Sequence, residues 1–516
     1  MELLDRALSM VPIVFFILLT IAGMTFALYL LYSSSGSAYG SSLSVLFLVL
    51  ASVSGFFNIF ASYSYYRSSL YDKYMENLER GTKELAALPT VAIAIPVYNE
   101  DPGMVKKNLQ RMKEIDYPSS KLSFYLLDDS TDKETSKELK AFASKNGYAY
   151  IHRRVRKGFK AGALNNMLKQ SKEDFIAIFD SDEHLKDKGF LKDLLKYFQD
   201  ESVSYIQTEK RYSKGTFFSD TVDLFDAFFF KFIQPSRALN NTAIFAGSCG
   251  IIRRSALDRI GGFPEYIVED TFFSLESDMH KYKSLYIPKV YALGRPIKTF
   301  TELVKQQWRY NYGDTQFLGY FLKRGSFFGK KPMSAMSNID YITHGFGLNY
   351  ISTFLIFFTI VSVLIVFSSV PLAKITLEQI AQVRSLTTTM EILGFGTFAL
   401  SLIAPVILTK IHFKSIRKGF MVFILNFALA FIRAKAALSA VLNLSPSMPW
   451  HTGTGDGTNR KMGIALRNSL SEVLFSSSLF VLGMFAFTIH DLSGALWLLW
   501  YAFLYISTFY FFYKYG

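Results

Sequence analysis

FIAIFDSDE, residues 175–183, decides how this chain is read. Its first five residues are apolar, a run that fits a strand buried on both faces. Asp180 and Asp182 follow at once, with Ser181 between them. Two carboxylates at the mouth of a buried strand suit a hard divalent cation, Mg2+ or Mn2+, shared with the oxygens of a phosphate-bearing ligand. A solvated surface turn carries the same D-x-D pattern. The position directly behind a buried strand favours the sheet edge instead.

Working outward, strand-like and helix-like stretches alternate. TVAIAIP (90–96), LSFYLLDD (122–129), AYIHRR (149–154) and SVSYIQ (202–207) read as further strands. Residues 104–115, 132–145, 160–170 and 271–283 read as helices. This order predicts an α/β domain with a doubly wound, mainly parallel sheet. Ligands of such sheets bind at the carboxyl ends of the strands. The strand ends at 96–100, 128–129 and 180–182 all carry acids and are expected on one edge.

Half of the 516 residues are hydrophobic and 19% are charged, yet the charges crowd the middle of the chain. Charge-free runs at 11–32, 43–66, 345–370, 392–408, 473–489 and 492–513 read as six membrane spans. Arg67, Lys73, Arg80 and Lys83 follow the second run, so the positive-inside rule puts the middle of the chain in the cytoplasm. Residues 420–432 are too short for a span and have basic residues at both ends, so 415–444 is expected to be interfacial or re-entrant. A seventh span is the alternative. The organisation expected is a two-helix hairpin over 1–86, a cytoplasmic catalytic domain over 87–322, and a four-helix membrane region over 323–516. Residues 221–233, TVDLFDAFFFKFI, fit either a core helix or one lying in the interface. The N-terminus lacks the basic start and cleavage site of a signal peptide and is read as a retained helix. The net charge of +14 fits positive-inside loops or a polyanionic ligand. No Lys/Arg stripe with interleaved aromatics is present, so nucleic acid is not an expected partner. The single cysteine, Cys249, excludes an intrachain disulfide and a cysteine zinc site.

Three further stretches carry chemistry. Lys157-Gly158-Phe159-Lys160-Ala161-Gly162 opens a helix, and a helix N-terminus beside a lysine is a natural phosphate site. Solvated Lys/Gly loops look similar. Val268-Glu269-Asp270 opens another helix, where acids complement the helix dipole or supply a general base. Gln306-Gln307-Trp308-Arg309-Tyr310 offers amides, a guanidinium and rings that suit carbohydrate, or equally a membrane-interface anchor.

Taken in order, IPVYNED, LLDDSTD, KAGALN, FDSDE, FAGSCGIIRRSAL, GGFPEYIVED and QQWRY resemble the membrane-bound, processive family 2 glycosyltransferases: the cellulose, hyaluronan and chitin synthases. The resemblance covers about residues 88–320. It implies a GT-A catalytic domain set in an α-helical transmembrane domain, inversion at the anomeric carbon, and polymer translocation. By the same resemblance Tyr98, Asn99 and Glu100 line the nucleoside, and Asp128 lies near uracil or ribose. Lys160 contacts the diphosphate with Arg309, and Gln306 is a further donor-binding residue. Asp180 and Asp182 hold the metal, and Asp270 is the base. Phe245, Gly247, Ser248, Cys249, Glu269, Trp308 and Tyr310 face the acceptor. Val268 stands where the family has Thr, and Tyr310 where it has Trp. Trp450 and Thr452 match part of a gating loop at 446–461, a stretch that also reads as a Gly-rich linker.

The function expected is metal-dependent, inverting transfer of a sugar from a UDP-linked donor to a growing polysaccharide at the cell membrane, using Mg2+ or Mn2+. Transfer to a lipid acceptor without processivity is the second reading. A transporter or scaffold with a degenerate sugar-nucleotide domain is the third.

Overall fold

The computed structural model describes residues 63–326, 329–330, 333–345, 413–444, 462–488 and 492–516, with isolated positions between. The expected spans at 11–32 and 392–408, most of the spans at 43–66 and 345–370, and the loop bearing Trp450 and Thr452 lie outside the described residues.

The main sheet has seven strands in the order β3-β2-β1-β4-β8-β6-β9. These are β1 (Val91–Val97), β2 (Leu122–Asp128), β3 (Ala149–His152), β4 (Phe175–Ile178), β6 (Val203–Thr208), β8 (Gly250–Arg253) and β9 (Lys283–Ile287). All run parallel except β8, which is antiparallel to both β4 and β6. The result is the mixed, mostly parallel GT-A arrangement. A second sheet, β5 (His184–Leu185), β10 (Ala292–Gly294) and β7 (Arg211–Tyr212), lies beyond the ends of β4 and β6.

Alternation along the central strands builds two core layers. Val91, Ile93, Ile95 and Val97 of β1, with Phe175, Ala177 and Phe179, face one layer. Helices α1 (Pro102–Met112), α2 (Lys133–Asn146) and α4 (Phe190–Leu195) cover it. Ala92, Ala94, Ile176 and Ile178 face the other layer. The small alanines of β1 let α3 (Phe159–Leu168) lie close through Ala161, Leu164 and Met167. Each large side chain buried this way contributes about 1.5–3 kcal/mol.

A long helical stretch follows β7. It comprises α5 (Phe217–Phe228), a π-helical turn at Phe229–Ile233, and α6 (Gln234–Ala238). Then come α7 (Arg254–Ile260), α8 (Glu269–Met279) and α9 (Phe300–Arg324). The helix expected over 271–283 starts two residues earlier and stops four earlier. Lys281 takes a left-handed φ of 64°, and Lys283 already belongs to β9. A capping box between Thr299 and Glu302 starts α9.

Beyond the catalytic domain lie α10 (Ile416–Ala428), α11 (Ala430–Val441), α12 (Met462–Asn468), α13 (Leu470–Thr488) and α14 (Leu492–Tyr515). Among the described residues two stretches, Leu470–Thr488 and Gly494–Tyr515, are long and apolar enough to cross a membrane. They pair closely: Ser476 donates to the Ala502 carbonyl at 2.7 Å. Helices α10 and α11 pass the same test only as a pair bent by 41°. Helix α9 ties the catalytic domain to this region. Gln307 Oε1 accepts from Arg433 of α11 at 2.8 and 3.1 Å, and the Tyr312 hydroxyl donates to the Leu444 carbonyl at 2.8 Å.

Candidate active site

Strand β4 ends at the centre of the sheet's carboxyl edge. Behind it the chain turns tightly: Glu183 N–H donates to the Asp180 carbonyl at 3.0 Å, and Asp180 N–H donates to Glu183 Oε2 at 2.8 Å. This turn presents Asp180 and Asp182 into a cleft. Lys160, in the first turn of α3, donates to Asp180 Oδ1 at 2.5 Å and to the Gly247 carbonyl at 2.9 Å. Burial works to raise the Asp180 carboxyl. The ammonium groups of Lys160 and Lys210 more than reverse this and hold it below the usual carboxylate range. Asp182 is pushed up to about 7 by burial and by the charges of Asp180 and Glu183.

The turn before β8 forms the floor of the cleft. Gly247 has a φ of 80°, and a Cβ there would stand 2.9 Å from Asp270 Oδ2. Only glycine lets the backbone come this close to Asp270. Asp270 sits in the first turn of α8, with Oδ1 accepting from Thr271 N–H at 2.8 Å. Burial raises its carboxyl, against the Thr271 bond and the positive charges of Lys160, Arg309 and Lys210. Glu269 beside it is pushed up to about 7 by burial and by the Asp270 charge. The Arg309 guanidinium lies 5.0 Å from the Tyr310 ring centre, and its pKa is raised by Tyr310, Glu269 and Asp180 against the effect of burial. Four separate motifs therefore meet here: the β4 turn, Lys160, Glu269-Asp270 and Arg309-Tyr310.

The flank toward β1 and β2 is a network of its own. Arg156 stacks over Tyr98 with 3.5 Å to the ring centre. Asn99 holds the 130–132 loop, its Oδ1 accepting from Thr131 N–H at 2.9 Å. Glu100 accepts from the Tyr98 amide and is pushed up to about 8 by burial. Asp128 is fully buried and accepts from Ser130 N–H at 2.9 Å and from the Tyr150 hydroxyl at 2.6 Å.

Other expected site residues sit away from the cleft surface. Phe245 is buried against Tyr205 and Phe273, and the Cys249 thiol is buried. Trp308 is turned into an apolar cluster with Phe300, Leu425 and Leu429. Gln307 is spent on Arg433. Gln306 donates to the Tyr212 hydroxyl at 3.3 Å, and that hydroxyl donates to Asp226 at 2.9 Å. The buried Ser248 hydroxyl donates to Glu183 at 2.7 Å.

Three cleft residues escaped the reading of the sequence: Glu183, Arg156 and Lys210. Lys210 stands two residues beyond β6, which runs parallel to β4 and so ends at the same edge. The strand-end rule that selected Asp180 applies equally to IQTEK.

Fold and site together define a glycosyltransferase domain. The profile of Glycosyl transferase family 2 matches residues 92–261, and the chain carries a domain of that family. Among its curated relatives, the cellulose synthase catalytic subunit (UDP-forming) of Pseudomonas fluorescens (strain SBW25) is 31% identical over 252 residues. The match covers 46% of this chain and 33% of that protein. The cellulose synthase catalytic subunit (UDP-forming) of Xanthomonas axonopodis pv. citri (strain 306) is 29% identical over 240 residues, covering 44% and 32%. The match thus spans about a third of the length of these relatives. Among solved structures, the mannosyltransferase PcManGT from Pyrobaculum calidifontis, in complex with GDP-Man and Mn2+, aligns with a TM-score of 0.49 at 16% identity. It covers 75% of this chain and 99% of that one.

Proposed function

We propose that this chain is an integral-membrane, inverting glycosyltransferase that moves a sugar from a UDP-linked donor to the end of a growing polysaccharide. One observation carries the reading: a carboxylate at the head of α8 faces the Lys160–Asp180 pair across Gly247, with Arg309 beside it. Similarity to UDP-forming cellulose synthase subunits supports the donor class and the polymeric product.

In the step proposed, Asp270 takes the proton of an acceptor hydroxyl. The oxygen then attacks the anomeric carbon from the face opposite the nucleotide. As the new glycosidic bond forms, the bond from that carbon to the β-phosphate oxygen breaks and the configuration inverts. The departing diphosphate meets Lys160 and Arg309, whose fixed charges stabilise it where its charge develops. Tyr310, 37% exposed, offers a ring to the acceptor sugar.

Asp180 and Asp182 fit a divalent cation. They are hard oxygen donors one residue apart, and burial first, then the charges of Asp180 and Glu183, raise the Asp182 carboxyl, a cost that a bound cation would relieve. Among the described residues no cluster of three or more such ligands is preformed. Two carboxylates completed by donor oxygens is the way Mg2+ is usually held. When bound, the ion supplies Lewis-acid stabilisation of the diphosphate. The two apolar helices support a membrane location, with the catalytic domain on the cytoplasmic side as the positive-inside rule reads it.

The test is a panel of radiolabelled nucleotide sugars given to the purified protein with Mg2+ or Mn2+, with an EDTA arm and enzymatic digestion of the product. Polymer from a UDP-sugar, lost in EDTA, is expected. Full activity in EDTA overturns the metal assignment, and absence of transfer from every donor overturns the enzyme reading.

A further inference from the structure

Lys210 is not used in the step above, yet its ammonium stands at the centre of the cleft. It donates to Ser248 Oγ at 2.5 Å, to the Ala246 carbonyl at 3.3 Å and to Asp180 Oδ2 at 3.4 Å. Glu183 Oε1 lies 3.5 Å away. Glu183 is 3% exposed and held twice, by the Ser248 hydroxyl at 2.7 Å and the Asp180 amide at 2.8 Å. A carboxylate this deeply buried requires a cation beside it, and Lys210 fills that need.

The arrangement on Asp180 is lopsided in charge. Lys160 takes one carboxylate oxygen and Lys210 the other, so two ammonium groups bracket a single acid. Both lysines remain partly open to the cleft, at 19% and 26% exposure. A lysine ammonium is a compact charge on a flexible four-carbon stem, so it can pass from a carboxylate to a nearby phosphate without backbone movement.

We propose that Lys210 is a second diphosphate-binding residue of the donor site, held beside Asp180 by Glu183 and Ser248. This rests on the nucleotide-sugar reading above. Lys160 and Lys210 then approach the diphosphate from the two sides of Asp180. Glu183 acts as a positioning residue: it is buried and holds the Lys210 ammonium and the Asp180 amide in place.

The test uses the full-length protein in detergent with Mg2+. UDP is titrated calorimetrically and uridine by saturation-transfer NMR, on wild type, Lys210→Met, Lys210→Arg and Glu183→Gln, with unfolding temperature as the folding control. A charge-assisted contact predicts that Lys210→Met weakens UDP by about tenfold to a hundredfold and leaves uridine unchanged. Lys210→Arg recovers most of the loss, and Glu183→Gln weakens UDP several-fold with uridine again unchanged. Wild-type UDP affinity in Lys210→Met, or an equal loss for UDP and uridine, overturns the proposal. Where Lys210→Met does not fold, Glu183→Gln decides by the same comparison of UDP with uridine. Wild-type protein that binds no UDP sinks the nucleotide-sugar reading itself, a different failure from a variant that binds as well as wild type.

Discussion

Asp270 meets the requirements of a general base by geometry before any argument from acidity. It stands at the head of a helix, one oxygen fixed by Thr271 N–H and the other turned to the glycine floor of the cleft. Asp270→Asn keeps the shape and removes the base. Sugar transfer should fall by ~10²–10⁴-fold, while UDP binding measured calorimetrically stays near wild type. Transfer at wild-type rate would remove the assignment. Burial also raises the Asp270 carboxyl, and the sign of the consequence is fixed. A base must be ionised to accept a proton, so a raised pKa leaves it protonated and inactive at pH values where a free aspartate would work. The acid limb of the kcat/KM profile should therefore lie above the ordinary aspartate value of about 3.9. A profile flat down to pH ~4 would contradict this. At this scale the sequence identified residue types better than their orientations. Spacing could place Trp308 and Phe245 in motifs, but packing decides where a ring points, and both face apolar clusters. Lys210 was missed because a lone lysine carries no motif. Its meaning comes from Glu183 and Ser248, which lie beside it only in the fold.

The elements that bring Asp270 and Arg309 together are α8 and α9, and their contact depends on one glycine. A Cβ on Gly313 would stand 2.6 Å from Val268 Cγ1, nearer than side chains can approach. Val268 replaces the Thr of the resembling family directly before Glu269. Gly319, six residues further along α9, has nothing within 4 Å of such a Cβ. The same substitution should therefore act in opposite directions in one helix. Gly319→Ala should stabilise by roughly 0.5–1 kcal/mol through helix propensity. Gly313→Ala gains the same propensity but should lose ~1–3 kcal/mol to overpacking, and transfer should drop as Glu269 and Asp270 are displaced. Adding Val268→Ala should restore both in part. Denaturant unfolding of the three variants against wild type checks the signs, and a stabilised Gly313→Ala would refute the packing argument. Elements were legible where pattern and length agreed. β1, β2, β4 and β6 are apolar runs bounded by turn residues, and each lies within two residues of its expected place. β8 was not foreseen, because FAGSCGIIRR breaks its apolar run with glycines, Ser248, Cys249 and arginines. β9 was not foreseen either: the helix expected over 271–283 covers only its first residue, and KSLYI follows on without a Gly or Pro to mark the boundary.

For the whole molecule the question is where the acceptor goes after each transfer. Helix α9 carries Arg309 and Tyr310 toward the cleft, while Phe300, Leu303, Trp308 and Tyr312 pack on α10, α11 and α14. The side of the site proposed to face the acceptor and the contact with the apolar helices thus belong to one element. Lys418 of α10 also pairs with Asp220 of α5 at 3.0 Å, so this contact is braced from a second direction. On the proposed function, a chain bound at Tyr310 would lie beside these helices, and an acceptor retained there would be extended again before it escapes. This arrangement predicts processive synthesis. With the protein in proteoliposomes, a brief pulse of radiolabelled UDP-sugar followed by unlabelled donor should shift the label steadily into longer chains. At low donor, the product should be few long polymers and not many short ones. A non-processive enzyme that glycosylates lipid gives the opposite pattern: label that stays in short, solvent-extractable glycolipid through the chase, whatever the ratio of donor to enzyme. That outcome would leave the transfer chemistry at Asp270 standing and remove the polymer.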